Sequence, residues 1–162
     1  MKRQRQVHTL SPFVPAGAET LILGSFPSVR SRETGFYYGH KQNRFWRVLA
    51  TVFDSPCPAD TEEKKALLAE NGIALWDVIA ACEIAGSSDA SIQNVLPNDI
   101  AGLLEKTKIR RIFLNGKTAE NLYKRYIAPV VDIPAIVLPS TSPANAAFDL
   151  ARLTSAWAIL QK

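Results

Sequence analysis

The sequence predicts an α/β fold, a three-layer α/β/α sandwich around a mostly parallel central sheet of about four strands. Short, nearly all-apolar runs alternate along the chain with segments of helical periodicity, the pattern of strands joined by crossover helices. Those runs lack the in-and-out alternation of a sheet with one wet face, as expected for strands covered on both sides. The chain has 162 residues and 47% hydrophobic content, enough for one domain (1–162) with its own core.

The elements follow in order. Residues 1–18 are basic and read as a loosely ordered N-terminal segment. Thr20 to Ser25 (TLILGS) is the first strand, running into Gly24, and a loop follows it. Phe45, Leu49, Val52 and Phe53 recur at helical spacing, with Asn43 placed to cap the start and SPCP to end it. Thr61 caps a helix reaching Asn71, with early glutamates and Gly72 as its stop; Ile73 to Ile79 (IALWDVI) is the second strand. Residues 83–97 lack periodicity and hold GSSDAS, so they read as a long loop. Asn98 caps a helix carrying Ile100, Leu103 and Leu104. Arg110 to Asn115 is the third strand, followed after Gly116 by a helix with Ala119, Leu122, Tyr123 and Tyr126 along one face. Ala135 to Leu138 is the fourth. The last helix is capped by Ser142, with Pro143 in its first turn, and carries Leu150, Leu153, Trp157 and Leu160.

Composition narrows the function. The formal charge of +4 is compatible with an anionic partner. Cys57 and Cys82 stand far apart in no metal-binding or redox spacing, so no disulfide framework, metal or cofactor is expected and a reducing cytoplasm fits. The basic N-terminus has no apolar run behind it, and no later run is long enough for a bilayer, so a secreted or membrane-spanning protein is not expected. A monomer is the expected state.

Small, polar or Pro/Gly-rich segments follow every strand: GSFPS after the first, Asp77 at the end of the second, Asn115 and Gly116 after the third, PSTSPAN after the fourth. In open α/β sheets ligands bind beyond the carboxyl ends of the strands, and hydroxyls with backbone amides suit a phosphate or a sugar. The run GFYYGHKQNRFW, Gly35 to Trp46, interleaves aromatics with His40, Lys41 and Arg44. It reads as a surface that stacks something flat and holds something negative.

In this order GSFPS, YYGHKQNRFW, LWD, FLNG and LPSTSPAN resemble the motifs of the uracil-DNA glycosylase superfamily, most nearly its hypoxanthine-DNA (deoxyinosine) glycosylase branch, from about Thr20 to the last helix. The resemblance implies an enzyme that flips a deaminated base from DNA and hydrolyses its N-glycosidic bond; because no lysine sits in a strand-end motif, a monofunctional enzyme that uses water and leaves an abasic site is expected. Hypoxanthine is the favoured base and uracil the second. Two positions depart from better-known branches, which carry Asp or Asn where this chain has Phe26 and open the last motif with His or Asn where it has Ser140. The hypoxanthine branch shares the first departure.

Under that resemblance Asn43 and Ser140 are the catalytic candidates, Asn43 to position the attacking water; Asn43 equally reads as a helix cap, and the roles are compatible. Tyr38 stacks on the base or packs the core. Asp77 accepts the N1–H of hypoxanthine, where adenine presents an acceptor, or caps a turn. Backbone N–H groups of Ser25 and Phe26 and the side chain of Asn115 donate to the leaving purine, although Asn115 also suits a turn before Gly116. Tyr37 adds to the stacking wall. Ser28, Lys41, Arg44, Arg47, Thr141, Ser142 and Asn145 are the DNA contacts, the helix start at Ser142 offering N–H groups to a phosphate, with Arg3, Arg5, Arg30 and Arg32 extending a basic rim. His40 reads as a phosphate or backbone contact more readily than as a general acid, and Lys41 and Lys117 as phosphate contacts or surface rather than Schiff-base amines. Ala144 lies where relatives carry a bulkier wedge. Two other readings are a non-catalytic binder of damaged DNA and a nucleotide-binding enzyme acting on free nucleosides; the latter would show no steep salt dependence toward DNA.

Overall fold

The computed structural model describes residues 4–8, 10–85 and 91–161, without the side chains of Val29 and Arg30. In chain order the main elements are β1 (Gln4–Val7), β2 (Thr20–Gly24), α1 (Val29–Thr34), α2 (Phe45–Val52), α3 (Thr61–Glu70), β3 (Ile73–Asp77), β4 (Ile79–Ile84), β5 (Gln93–Pro97), α4 (Ile100–Glu105), β6 (Arg111–Asn115), α5 (Lys117–Tyr126), β7 (Ala135–Leu138) and α6 (Leu150–Trp157).

The central sheet has four strands in the order β3-β2-β6-β7, all parallel. Alternate residues of a strand face opposite sides, and the apolar runs divide accordingly. Ile22, Leu75, Phe113 and Leu138 meet Phe45 and Leu49 of α2, Leu68 of α3 and Leu153 and Trp157 of α6. Leu21, Leu23, Ala74, Ile112 and Leu114 meet Ile100 of α4 and Ala119 and Tyr123 of α5. Every residue of β2 is buried, which explains a strand with no polar face. The three predicted layers are present.

Several elements differ from the sequence reading. The stretch after β2, read as loop, contains α1: Ser28 caps it by accepting from the Ser31 N–H at 3.1 Å, and Gly35 closes it at φ +80°. Six residues are too few to display a helical stripe. The second strand is two strands, and the break at Val78 is hidden because IALWDVIAACEI is almost uniformly apolar. The described residues within 83–97 are mostly strand and not loop: β4 and β5 pair antiparallel and, with β1, make a second sheet in the order β1-β4-β5. Residues 86–90, the centre of the expected loop, lie outside the described residues. The polar, largely exposed β5 gave no alternation to read.

The described part of the N-terminal segment, expected to be loosely ordered, is docked. Gln4 pairs with Ile84 and Val7 with Ala81, Leu10 is buried, and Phe13 exchanges backbone hydrogen bonds with Leu75 at 3.0 and 2.9 Å. Three caps also move by one residue or more. Asp60, not Thr61, caps α3, and Asp99, not Asn98, caps α4. Asp149 caps α6, which starts at Leu150, so Ser142 and Pro143 belong to a run of turns and no helix begins there. An aspartate immediately before each helix supplies the acceptor the first turn needs.

Candidate active site

A cavity of about 430 Å³ opens beyond the carboxyl ends of the parallel strands. The segment after β2 contributes Gly24 to Ser28, β3 contributes Asp77, β6 contributes Asn115, and the chain after β7 contributes Ser140 to Ala144. Tyr38, His40 and Asn43 come from the run before α2. The strand-end segments named from sequence are therefore neighbours in space.

Asp77 is buried at 3% exposure. Its Oδ2 lies 2.8 Å from His8 Nε2, a residue 69 positions away on the N-terminal segment. The sequence reading missed His8, since a histidine in a basic leader carries no sign of a partner so distant. Glycine at position 24 is required by this carboxylate: a Cβ there would lie 2.5 Å from Asp77 Oδ1 and 3.2 Å from the Tyr38 hydroxyl.

A chain of amides and hydroxyls lines the opposite wall. Asn115 Oδ1 accepts from the Thr141 N–H at 3.0 Å, and its Nδ2 donates to Thr141 Oγ1 at 3.0 Å. Thr141 Oγ1 in turn donates to Asn43 Oδ1 at 2.8 Å, which also accepts from the Phe45 N–H at 2.9 Å. Backbone N–H groups can only donate, so both amides have fixed orientations. Asn43 thus presents its Nδ2, which has no partner among the described residues, and its oxygen is occupied. Its cap-like bond goes to the first residue of α2; Arg44 holds the cap position without a side-chain bond.

Tyr38 takes a left-handed backbone, φ +54°, and stacks on Phe45 with centroids 4.0 Å apart and rings 12° from parallel. One ring face is therefore covered within the protein. Its hydroxyl is buried without a hydrogen-bond partner. Burial first, then the charge of Asp77, raises its pKa, while neighbouring Asn115 pulls the other way; Asn115 Oδ1 and one of its two Nδ2 hydrogens are taken by Thr141. Burial therefore favours the neutral phenol of Tyr38. Tyr37 also borders the cavity but is mainly a core residue: it is 2% exposed and its hydroxyl donates to Ser11 O at 2.9 Å.

Other expected contacts are spent internally. Arg44 gives four N–H groups to backbone carbonyls, from Nε to Thr141 at 3.4 Å, from one terminal nitrogen to Phe148, and from the other to Ser142 at 2.9 Å and Asn145 at 3.1 Å. It fastens the 141–148 segment to α2 and has little left for a phosphate. Thr141 is fully buried. Ser140 Oγ accepts from the Ser142 N–H at 3.1 Å, Ser142 Oγ from the Ala144 N–H at 3.2 Å, and Asn145 Nδ2 donates to Ser140 O at 3.0 Å. These are turn-stabilising bonds. Gly116, at φ +97°, leaves room for them, since a Cβ would meet that of Ser140 at 2.9 Å. Ser28 lines the cavity while capping α1. Lys41 and Arg47 are exposed outside the cavity lining.

Phe26 and Arg32 also line the cavity. Phe26 meets the His8 ring edge-on at 5.9 Å, and the Arg32 guanidinium lies 5.2 Å from the Phe26 centroid, held by Gln6 Oε1 at 2.6 Å. Arg5 donates to Asn94 O at 3.0 Å; Arg3 lies outside the described residues. Among the described residues no group of three His, Cys, Asp or Glu could hold a metal ion, and no helix is long and apolar enough to cross a membrane.

A cavity floored by a buried carboxylate therefore lies at the carboxyl ends of the parallel sheet, where open α/β folds bind their ligands. Residues 11–161 match the family model described as the uracil DNA glycosylase superfamily. The hypoxanthine DNA glycosylase of Methanosarcina acetivorans is 39% identical over 132 residues, covering 80% of this chain and 82% of the relative. That of Methanosarcina barkeri is 32% identical over 108 residues, covering 65% and 68%. A solution NMR structure from M. acetivorans, described provisionally as a uracil DNA glycosylase, superimposes with a TM-score of 0.80 at 31% identity, covering 98% of this chain and 100% of that one. The chain belongs to the uracil DNA glycosylase superfamily. It is a DNA glycosylase, a hydrolase of N-glycosyl bonds.

Proposed function

We propose that the enzyme releases hypoxanthine from deoxyinosine in DNA, acting as a monomer without a metal or cofactor and leaving an abasic site. The observation that carries the choice of a deaminated base over adenine is Asp77, a buried side chain at the cavity floor with one oxygen tied to His8 and the other unpaired among the described residues. A carboxylate only accepts, so it suits the N1–H of hypoxanthine and repels the N1 lone pair of adenine. Uracil also has an imide N–H, so this contact alone admits both. The names of the two relatives favour hypoxanthine.

Cleavage breaks the C1′–N9 bond, the electron pair leaving with the purine and cationic character remaining on the sugar. Water then bonds to C1′, loses a proton to solvent, and the released base regains one. Such a water needs placement more than a strong base, and the free Nδ2 of Asn43 supplies a fixed donor to its oxygen. The backbone N–H groups after β2 are the donors that strengthen as the base gains negative charge. Ser140 shapes the sugar side of the cavity, and Lys41 and Arg47 supply charge to the strand around the flipped nucleotide.

The test is a panel of labelled duplexes carrying hypoxanthine, uracil, xanthine or ethenocytosine, treated with protein in chelator and then with alkali to reveal abasic sites. Release of hypoxanthine fastest, undiminished by chelator, is expected. Release of uracil alone would overturn the choice of base, and binding without release would make the chain a damage-binding protein.

A further inference from the structure

The carboxylate that reads the base is held from the N-terminal segment. His8 follows β1, its backbone N–H bonded to Ala80 O at 2.6 Å. Its ring is almost completely buried, 2% exposed at the side chain. The Leu10 N–H lies 3.2 Å from Nδ1. Because that N–H can only donate, Nδ1 carries the lone pair and the proton sits on Nε2. The bond to Asp77 therefore runs from Nε2–H to Oδ2. The Asp77 backbone is pinned as well, its carbonyl accepting from Asn98 Nδ2 at 2.9 Å.

From this arrangement we infer that His8 is a positioning residue for base selection: by occupying Oδ2 it turns Oδ1 toward the space beside Gly24 and Tyr38, where the N1–H of a flipped purine is read. His8 is absent from the cavity lining, so it acts through Asp77 and does not touch the base. A carboxylate without this donor is free to turn about its last side-chain bond, and a reader that turns loses its preference for a donor over an acceptor. The inference rests on Asp77 being the base reader proposed above.

The test is a set of single-turnover cleavage rates on duplexes containing hypoxanthine, uracil or adenine, with melting temperatures, for the wild type, His8→Leu, His8→Gln, Asp77→Ala and the His8→Leu/Asp77→Ala double variant. His8→Leu should lower the hypoxanthine-to-adenine rate ratio by about tenfold or more, the scale of one hydrogen bond to a buried charge. His8→Gln, whose amide offers an N–H, should recover most of it. In the Asp77→Ala background His8→Leu should leave the ratio unchanged, since the residue it positions is gone. An unchanged ratio in His8→Leu, with all rates falling alongside melting temperature, would overturn the role, as would His8→Gln behaving like His8→Leu. If the wild type does not prefer hypoxanthine to adenine, or Asp77→Ala retains the preference, the reading of Asp77 itself falls and takes this one with it.

Discussion

The amide of Asn43 is oriented by two donors, and that orientation decides what it offers a substrate. Its oxygen takes the Phe45 N–H and the Thr141 hydroxyl, which leaves the amide nitrogen as the part without a partner among the described residues. Asn43→Asp separates the two jobs: a carboxylate still accepts both donors but has no N–H to give. We expect Asn43→Asp to melt close to wild type while its single-turnover rate falls by an amount equivalent to about 2.7–4 kcal/mol of barrier, the scale of removing one preorganised donor. Asn43→Ala should lose the rate and also about 1 kcal/mol of stability. Full activity in the aspartate variant would show that Nδ2 is not used and that Asn43 only stitches α2 to the 140–145 turns.

At the level of elements, the basic residues divide into fasteners and free charge. Arg44 binds carbonyls of the segment after β7, whereas Lys41 and Arg47 are exposed. Lys41→Ala and Arg47→Ala should each reduce the slope of log K against log salt by about 0.9 for duplex DNA with little change in melting temperature. Arg44→Ala should do the reverse, and a loss of salt slope without a loss of stability would refute its structural role. This division was not legible in GHKQNRFWR, where Lys41, Arg44 and Arg47 look alike. The parallel strands and the helices on them were legible, because strands buried on both faces and stripes of Phe45, Leu49 and Val52 write burial directly into residue type. β1 and β5 were not, since edge strands with polar, exposed residues carry no such imprint. Asp77 was identifiable from its place at a strand end; its partner His8 was not, since their proximity depends on the antiparallel sheet, which the sequence did not announce.

Seen over the whole molecule, the cavity is shared by two sheets of unequal standing. The parallel sheet is buried between layers of helices, while the antiparallel sheet rests on a small cluster of Ile79, Cys82 and Ile84 and leaves Val7 and Leu96 exposed. The position of His8 depends on the weaker of the two. Its strand pairs Gln4 with Ile84, a contact that closes a long loop and gains little apolar burial in return. Regions so built open at lower free energy than the core. Competence and foldedness should therefore part company under mild stress: in a urea titration, exchange protection of the β1 amides and discrimination against adenine should be lost at lower denaturant than the far-ultraviolet circular dichroism. Coincident midpoints would mean that both sheets unfold as one unit. A cell carrying such a protein would meet, before any aggregation, a repair enzyme still folded around its core yet less exact about which base it removes.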